Sequence, residues 1–312
     1  MSNDRGSMMQ APDDFNPNPG EAIELEPGLR RILAPNPSPM TYRGTNTYVI
    51  GRTDLAVVDP GPALPHHLQA ILSAVEPGQK ITHVIVTHSH LDHSPLAAEL
   101  SQITGAPIYA YGSSAAGRSE VMTQLAAAGM TGGGEGIDLD FHPDLTVAHG
   151  DIITGSDWAL EVIHTPGHLG NHVALAWNDA CFTADHVMGW ASSLVSPPDG
   201  DLSDFMASCH RLKERQWRVF HPGHGAPVTD PTARLDWLIA HRQSREAAVL
   251  ECLAQGPATA LSLAQAIYTE TPASLLAAAE RNVFAHLIDL VGKNRVSQIG
   301  DLEPASKFQL LK

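Results

Sequence analysis

Residues 82–95 read Thr82-His83-Val84-Ile85-Val86-Thr87-His88-Ser89-His90-Leu91-Asp92-His93-Ser94-Pro95. The run Val84-Ile85-Val86 is short, apolar and β-branched, the pattern of a buried strand. Four metal-capable side chains, His88, His90, Asp92 and His93, follow directly. Pro95 then opens a helical stretch, as proline does in a first helical turn. The cluster therefore belongs on a strand-to-helix loop of an α/β domain, where a rigid scaffold fixes the loop's ends. On an extended loop, neighbouring side chains point to different sides. One cluster cannot fill two metal shells, so other loops must contribute.

The positions that can contribute also come directly after apolar runs. Thr165-Pro166-Gly167-His168 follows a strand ending at Ile163, and Asp185 follows one ending at Ala184. His221-Pro222-Gly223-His224 follows Arg218-Val219-Phe220. Upstream, Tyr48-Val49-Ile50 and Leu55-Ala56-Val57-Val58 predict a strand pair across Gly51. Helical spacing covers 63–75 and 96–103, with Gly105 as a stop. Pro107–Tyr111 predicts a further strand, and 113–128 one or two helices. Runs at 145–147, 159–163, 173–177 and 180–184 read as consecutive strands of a second sheet, followed by an amphipathic helix over 202–217. Two sheets with helices outside them make a four-layer α/β sandwich. Thr131–Gly136 has no Lys-Ser/Thr partner and reads as a flexible loop rather than a phosphate cradle.

From Asp230-Pro231 the character changes to three helical patterns, over 232–253, 258–268 and 273–291, with Gly292-Lys293-Asn294-Arg295 read as a turn between short strands. The expected organisation is a disordered or extended tail over 1–27, a catalytic domain over 28–230 and a winged-helix-like domain over 231–312. That last segment carries eight basic and eight acidic residues. A winged helix that reads nucleic acid is usually clearly basic, so packing or pocket-lining is favoured. The whole chain of 312 residues has a formal charge of −15, which opposes attraction to phosphate backbones and anionic membranes. No stretch approaches the length of a membrane span, and the polar N-terminus has no apolar signal core. Cys181, Cys209 and Cys252 match no disulfide or zinc-ribbon spacing. A cytoplasmic protein is expected, with any metal site built from histidine and carboxylate.

The motifs H-S-H-L-D-H, T-P-G-H, F-T-A-D and H-P-G-H-G, with Gly44–Tyr48 and Val58–Gly61 before them, resemble those of the metallo-β-lactamase superfamily over residues 28 to 230. With the added helical domain the chain most resembles the branch called beta-lactamase-like protein 2, whose animal members are single-strand endoribonucleases; glyoxalase II is a close relative at the site. The resemblance implies that His88, His90 and His168 hold one zinc, that Asp92, His93 and His224 hold the other, and that Asp185 bridges them. Manganese and iron(II) accept the same ligand types. It further implies catalytic roles for Asp92 and Asp185, with a bridging hydroxide attacking a carbonyl or phosphoryl centre. The acidic balance and the neutral C-terminal domain favour a small-molecule ester, thioester or lactone over the RNA of the nearest resemblance. Single-stranded RNA is the alternative substrate, and a non-catalytic binding module the third reading. The antibiotic-degrading members lack an aspartate bridge where Asp185 stands, which argues against β-lactamase activity. No aromatic-plus-basic track for a single strand stands out, nor a basic clamp for the carboxylates of a glutathione thioester.

Several further residues acquire expected roles. Asp59 would orient a ligand histidine. His172 braces the His168 loop, while His221 and His186 are structural. His66 and His67 face solvent, Trp190 and 192–200 either wall the pocket or form a plain structural loop, and Thr45 and Asn46 line its mouth.

Overall fold

A computed structural model describes residues 14–133 and 136–311. Residues 1–13 of the expected tail, Gly134 and Glu135 of the glycine-rich loop, and Lys312 lie outside the described residues. The chain begins with β1 (Ala22–Glu26), β2 (Leu29–Leu33), β3 (Asn46–Ile50) and β4 (Asp54–Val58), then α1 (Pro65–Ser73), β5 (Lys80–Ile85), α2 (Leu96–Thr104), β6 (Ile108–Ala110), α3 (Glu120–Ala127) and β7 (Leu145–Thr146). These seven strands form one sheet in chain order. β1 through β4 pair antiparallel, and β4 through β7 parallel. Next come β8 (Ile152–Thr154), β9 (Ala159–His164), β10 (Val173–Trp177), β11 (Ala180–Ala184), α4 (Leu202–Lys213) and β12 (Val219–Pro222), whose strands form a second sheet in the order β12-β11-β10-β9-β8.

Period-two alternation builds the layers. On β3 to β5, Val49, Leu55, Val57 and Val84 pack with Leu68 and Ile71 of α1 and Leu100 of α2. Their neighbours Tyr48, Ile50, Ala56, Val58 and Ile85 face the other way, against Leu160, Val162, Val173, Leu175 and Phe182 of the second sheet. That sheet's outer face packs on Phe205, Cys209 and Leu212 of α4. The four-layer sandwich expected from the pattern is the observed fold.

Three local readings are corrected. Leu145–Thr146 pairs with β6 and belongs to the first sheet, not the second. Residues 22–26, expected in a disordered or extended tail, are extended and paired as an edge strand on β2, so the disordered alternative does not hold there. His67 is fully buried rather than solvent-facing, and its Nε2 lies 2.8 Å from Thr47 Oγ1. In each case tertiary pairing, not local polarity, decides the outcome.

The C-terminal region holds α5 (Pro231–Leu253), α6 (Ala260–Ile267), a 3₁₀ turn (Ala273–Leu275), α7 (Leu276–Gly292) and the hairpin β13 (Val296–Ile299) and β14 (Lys307–Leu310). The hairpin thus lies after Gly292–Arg295, a stretch that ends α7 instead of joining two strands. α5 serves two cores: Leu235, Leu238 and Ile239 pack on the second sheet, and Val249 and Leu253 pack on α6 and α7. Among the described residues no helix is long and apolar enough to cross a membrane.

Candidate metal centre

The loops leaving β5, β9, β11 and β12 meet at one end of the sandwich, outside the carboxyl ends of those strands. His88, His90, His168 and Asp185 form one group of potential ligands, and Asp92, His93, Asp185 and His224 form a second. Within each group the ligand atoms lie within 4.8 Å of one another. All seven residues named from the sequence are present, none more than 9% exposed. Asp185 belongs to both groups. Its Oδ2 stands 3.6 Å from His168 Nε2 and 3.2 Å from His224 Nε2, while Oδ1 is 3.4 Å from His93 Nε2.

Backbone shape sets this convergence. After His90 the chain turns, with the His93 and Ser94 amides donating to the His90 carbonyl (2.9 and 3.1 Å). The turn brings the neighbours Asp92 and His93 into the same site, which strict alternation along an extended loop would forbid. Ala184 has a left-handed backbone (φ 40°) just before Asp185, a costly conformation for a residue with a Cβ. Gly223 permits close approach: a Cβ there would sit 2.4 Å from Asp185 Oδ1 and 2.8 Å from His93 Cε1. The His224 loop is tied to β3, since Asn46 Nδ2 donates to the Pro222 and Gly225 carbonyls (3.0 and 2.9 Å) and Tyr48 Oη to the Pro222 carbonyl (2.7 Å).

The outer nitrogens of the histidines are already engaged. His168 Nδ1 donates to the Leu194 carbonyl (2.8 Å), His224 Nδ1 to the Gly44 carbonyl (3.1 Å) and His93 Nδ1 to Asp59 Oδ2 (2.9 Å). Asp59 also accepts the Thr87 amide and hydroxyl, both at 2.8 Å, so the Thr87 oxygen accepts from His88 Nδ1 at 3.0 Å. The inner nitrogens are left facing each other. His90 Nδ1 lies 3.1 Å from both His88 Nε2 and His168 Nε2. Burial pushes the His90 imidazole down to about 3, and also lowers His88 and His168. Neutral rings therefore aim lone pairs at a shared point. In the second group, burial opposes charge on His93 and His224, but Asp92 and Asp185 outweigh it and raise both, His224 to about 10. Burial likewise opposes charge on Asp92 and Asp185, and the neighbouring histidines hold both carboxylates ionised. Asp92 Oδ1, His93 Nε2 and Asp185 Oδ1 are buried with no hydrogen-bond partner. Converging lone pairs, negative potential and orphaned buried atoms all suit a pair of divalent cations.

The neighbouring residues divide. Asp59 orients His93 directly and His88 through Thr87, the role expected of it. His172 braces its loop through Thr165 Oγ1 (2.8 Å), and His186 is buried against Cys209. Thr45 and Asn46 do not line a mouth; both are fully buried, and Thr45 Oγ1 donates to Asp92 Oδ2 at 3.2 Å. A cavity of about 390 Å³ opens beside the site, walled by Met188, Trp190 and Leu194 of the loop after Asp185. Its far wall comes from α5 and α7, including Arg234, Trp237, Arg242 and Ala278. Those arginines escaped the sequence reading. The signal was present as Arg234, Trp237, His241, Arg242 and Arg245, which share one helical face by spacing.

Residues 40–240 match the metallo-beta-lactamase superfamily and 259–306 the beta-lactamase associated winged helix domain. The chain is 30% identical to the beta-lactamase-like protein 2 homolog of Drosophila melanogaster, covering 89% of this chain and 94% of that one. It is 27% identical to an atrochrysone carboxyl ACP thioesterase of Aspergillus fumigatus, covering 91% and 86%. In fold it is similar to a beta-lactamase domain protein from Burkholderia ambifaria (TM-score 0.78, 21% identity, 97% of each chain). It is also similar to a metallo-beta-lactamase family protein from Thermus thermophilus (TM-score 0.73, 24% identity, 92% of this chain and 100% of the other). Since the matched segment runs through every loop that builds the paired ligand groups, the chain belongs to the metallo-beta-lactamase superfamily.

Proposed function

We propose that this superfamily hydrolase cleaves the acyl C–S bond of a small thioester by adding water at the carbonyl carbon, releasing a carboxylate and a thiol, with oxygen esters and lactones as related substrates. The observation that carries the reading is Asp185, whose carboxylate belongs to both groups of ligand atoms, beside a cavity that opens next to them. In this reading His88, His90 and His168 hold one cation, Asp92, His93 and His224 the other, and Asp185 spans both. Zinc is the metal that best suits buried imidazole and carboxylate in these numbers. When bound, such a pair lowers the pKa of water to about 7 and stabilises negative charge developing on the substrate.

The protein's own contribution is positioning. Asp59 and the Leu194 and Gly44 carbonyls engage the outer nitrogens of four rings and so aim each inner nitrogen at the ligand groups, where a bound cation would replace any proton it carries. Asp92, aligned by Thr45, and Asp185 are the carboxylates placed to orient the attacking water. Met188, Trp190 and Leu194 exclude bulk water from the reacting carbonyl. The thioesterase relative supports a thioester over the other carbonyl substrates. Free Cys181, Cys209 and Cys252 fit a reducing cytoplasm. We also take 28–230 as the catalytic unit and 231–312 as the unit that closes the pocket.

Purified protein should carry two zinc-type ions per chain by elemental analysis, and hydrolysis of a thioester panel should stop on chelation. Asp185→Asn should lose at least about 100-fold in kcat while circular dichroism stays unchanged. Full turnover in a metal-free sample, or in that variant, would remove the mechanism. Short RNAs belong in the same panel, and chelator-sensitive cleavage of RNA alone would replace the thioester reading.

A further inference from the structure

The cavity wall contains guanidinium groups that, among the described residues, pair with no carboxylate. Arg242 is 2% exposed. Its Nη1 donates to Asn282 Oδ1 (3.0 Å) and its Nη2 to the Ser193 carbonyl, while its Nε–H has no partner. Arg234 donates from Nε to the Met188 carbonyl (2.7 Å) and from Nη2 to the Ala191 carbonyl (2.6 Å), and lies 4.3 Å from the centroid of the Trp237 ring. Arg245, one turn on, stands 4.9 Å from the Tyr268 ring centroid. Burial pushes Arg234 down to about 10, and burial lowers Arg242 with only Tyr268 and Cys209 acting against it. No acidic side chain among the described residues acts on either. The chain has 34 acidic residues, and several of its other arginines find them, as Arg118 finds Asp199 and Arg215 finds Glu161.

A buried charge needs a counter-charge or a full set of hydrogen bonds. Backbone carbonyls meet part of that need here, and the remaining N–H groups keep the fork geometry that matches an oxyanion. Both side chains line the cavity that also contains His90, Asp92, His168, Asp185 and His224. We propose that this cavity recognises an oxyanion on the substrate, received by Arg242 and Arg234: a carboxylate on the acyl half of the thioester, or a phosphate on its carrier half. The inference rests on the thioesterase reading for the reacting bond, but not for the anion site itself.

Three thioesters test it on the full-length, metal-loaded protein: pentanoyl-N-acetylcysteamine, which is uncharged; glutaryl-N-acetylcysteamine, with a carboxylate on the acyl half; and pentanoyl-4′-phosphopantetheine, with a phosphate on the carrier half. One charged substrate should exceed the uncharged one in kcat/KM by roughly 10- to 100-fold, chiefly through KM. Which one does so identifies the source of the anion. Arg242→Gln should bring the ratio toward one, and Arg242→Lys should restore part of it. Independently of turnover, glutarate or inorganic phosphate should raise the Tm of the wild type and not of Arg242→Gln. Should that variant fail to fold, Arg234→Gln, at a half-buried position, carries the comparison. Equal turnover of all three substrates with no Tm shift from either anion would overturn the proposal and leave these arginines as pins for the 188–193 loop. An arginine-dependent Tm shift without turnover of any thioester would support the anion site and overturn the thioesterase reading instead.

Discussion

Asp59 shows how one residue outside the ligand set governs it. Its carboxylate holds His93 directly and His88 through Thr87, one histidine from each group. Asp59→Asn should therefore weaken metal binding by roughly 10- to 100-fold, read by competition with a chromophoric chelator, without loss of fold. His67 acts on stability. Burial pushes its imidazole down to about 4 from an ordinary value of 6.5. The unfolded chain binds the proton more readily, so the contribution of neutral His67 is present above pH 6.5 and is lost as pH falls toward 4. The full difference is about 3 kcal/mol. His67→Leu should flatten the decline in urea-unfolding stability between pH 7 and about 4.5; an unchanged slope would place the ring in water. The sequence could name His67 but not its burial, because the neighbour that decides it, Thr47, is twenty residues away on another element.

Among elements, β12 and its loop carry the tightest constraint. Pro222 is held by Asn46 and Tyr48 of β3, and Gly223 leaves no room for a side chain beside Asp185 and His93. Gly223→Ala should displace the His224 loop and lower the metal content from two ions per chain toward one, by elemental analysis. The H-P-G-H motif was readable as a ligand loop. That its glycine touches a carboxylate from β11 was not, because strand alignment across β11 and β12 sets that distance. The strands with alternating or fully apolar runs, β3, β4, β5, β9, β10 and β11, were readable for the same physical reason: each buries its apolar residues on fixed faces. β1 and β7 were missed or misassigned because edge strands carry little such pattern.

At the scale of the molecule, α5 and α7 join the helical region to the sandwich and line the cavity. Ala278 on α7 lines that cavity. Ala278→Trp should raise KM for bulky acyl thioesters by about tenfold more than for acetyl thioesters, since lost space penalises large groups first; parallel changes would detach α7 from the pocket. The sequence by itself determined the sandwich, the seven metal-capable residues and the neutral helical appendage, because periodicity and motif spacing are local properties of the chain. Only the tertiary structure decided that Asp185 faces two ligand groups at once, that Asp59 serves both, and that arginines on α5 line the same cavity with no carboxylate partner among the described residues. Those facts depend on distances between segments far apart in sequence, and such distances are set by how the two sheets and the last helices pack.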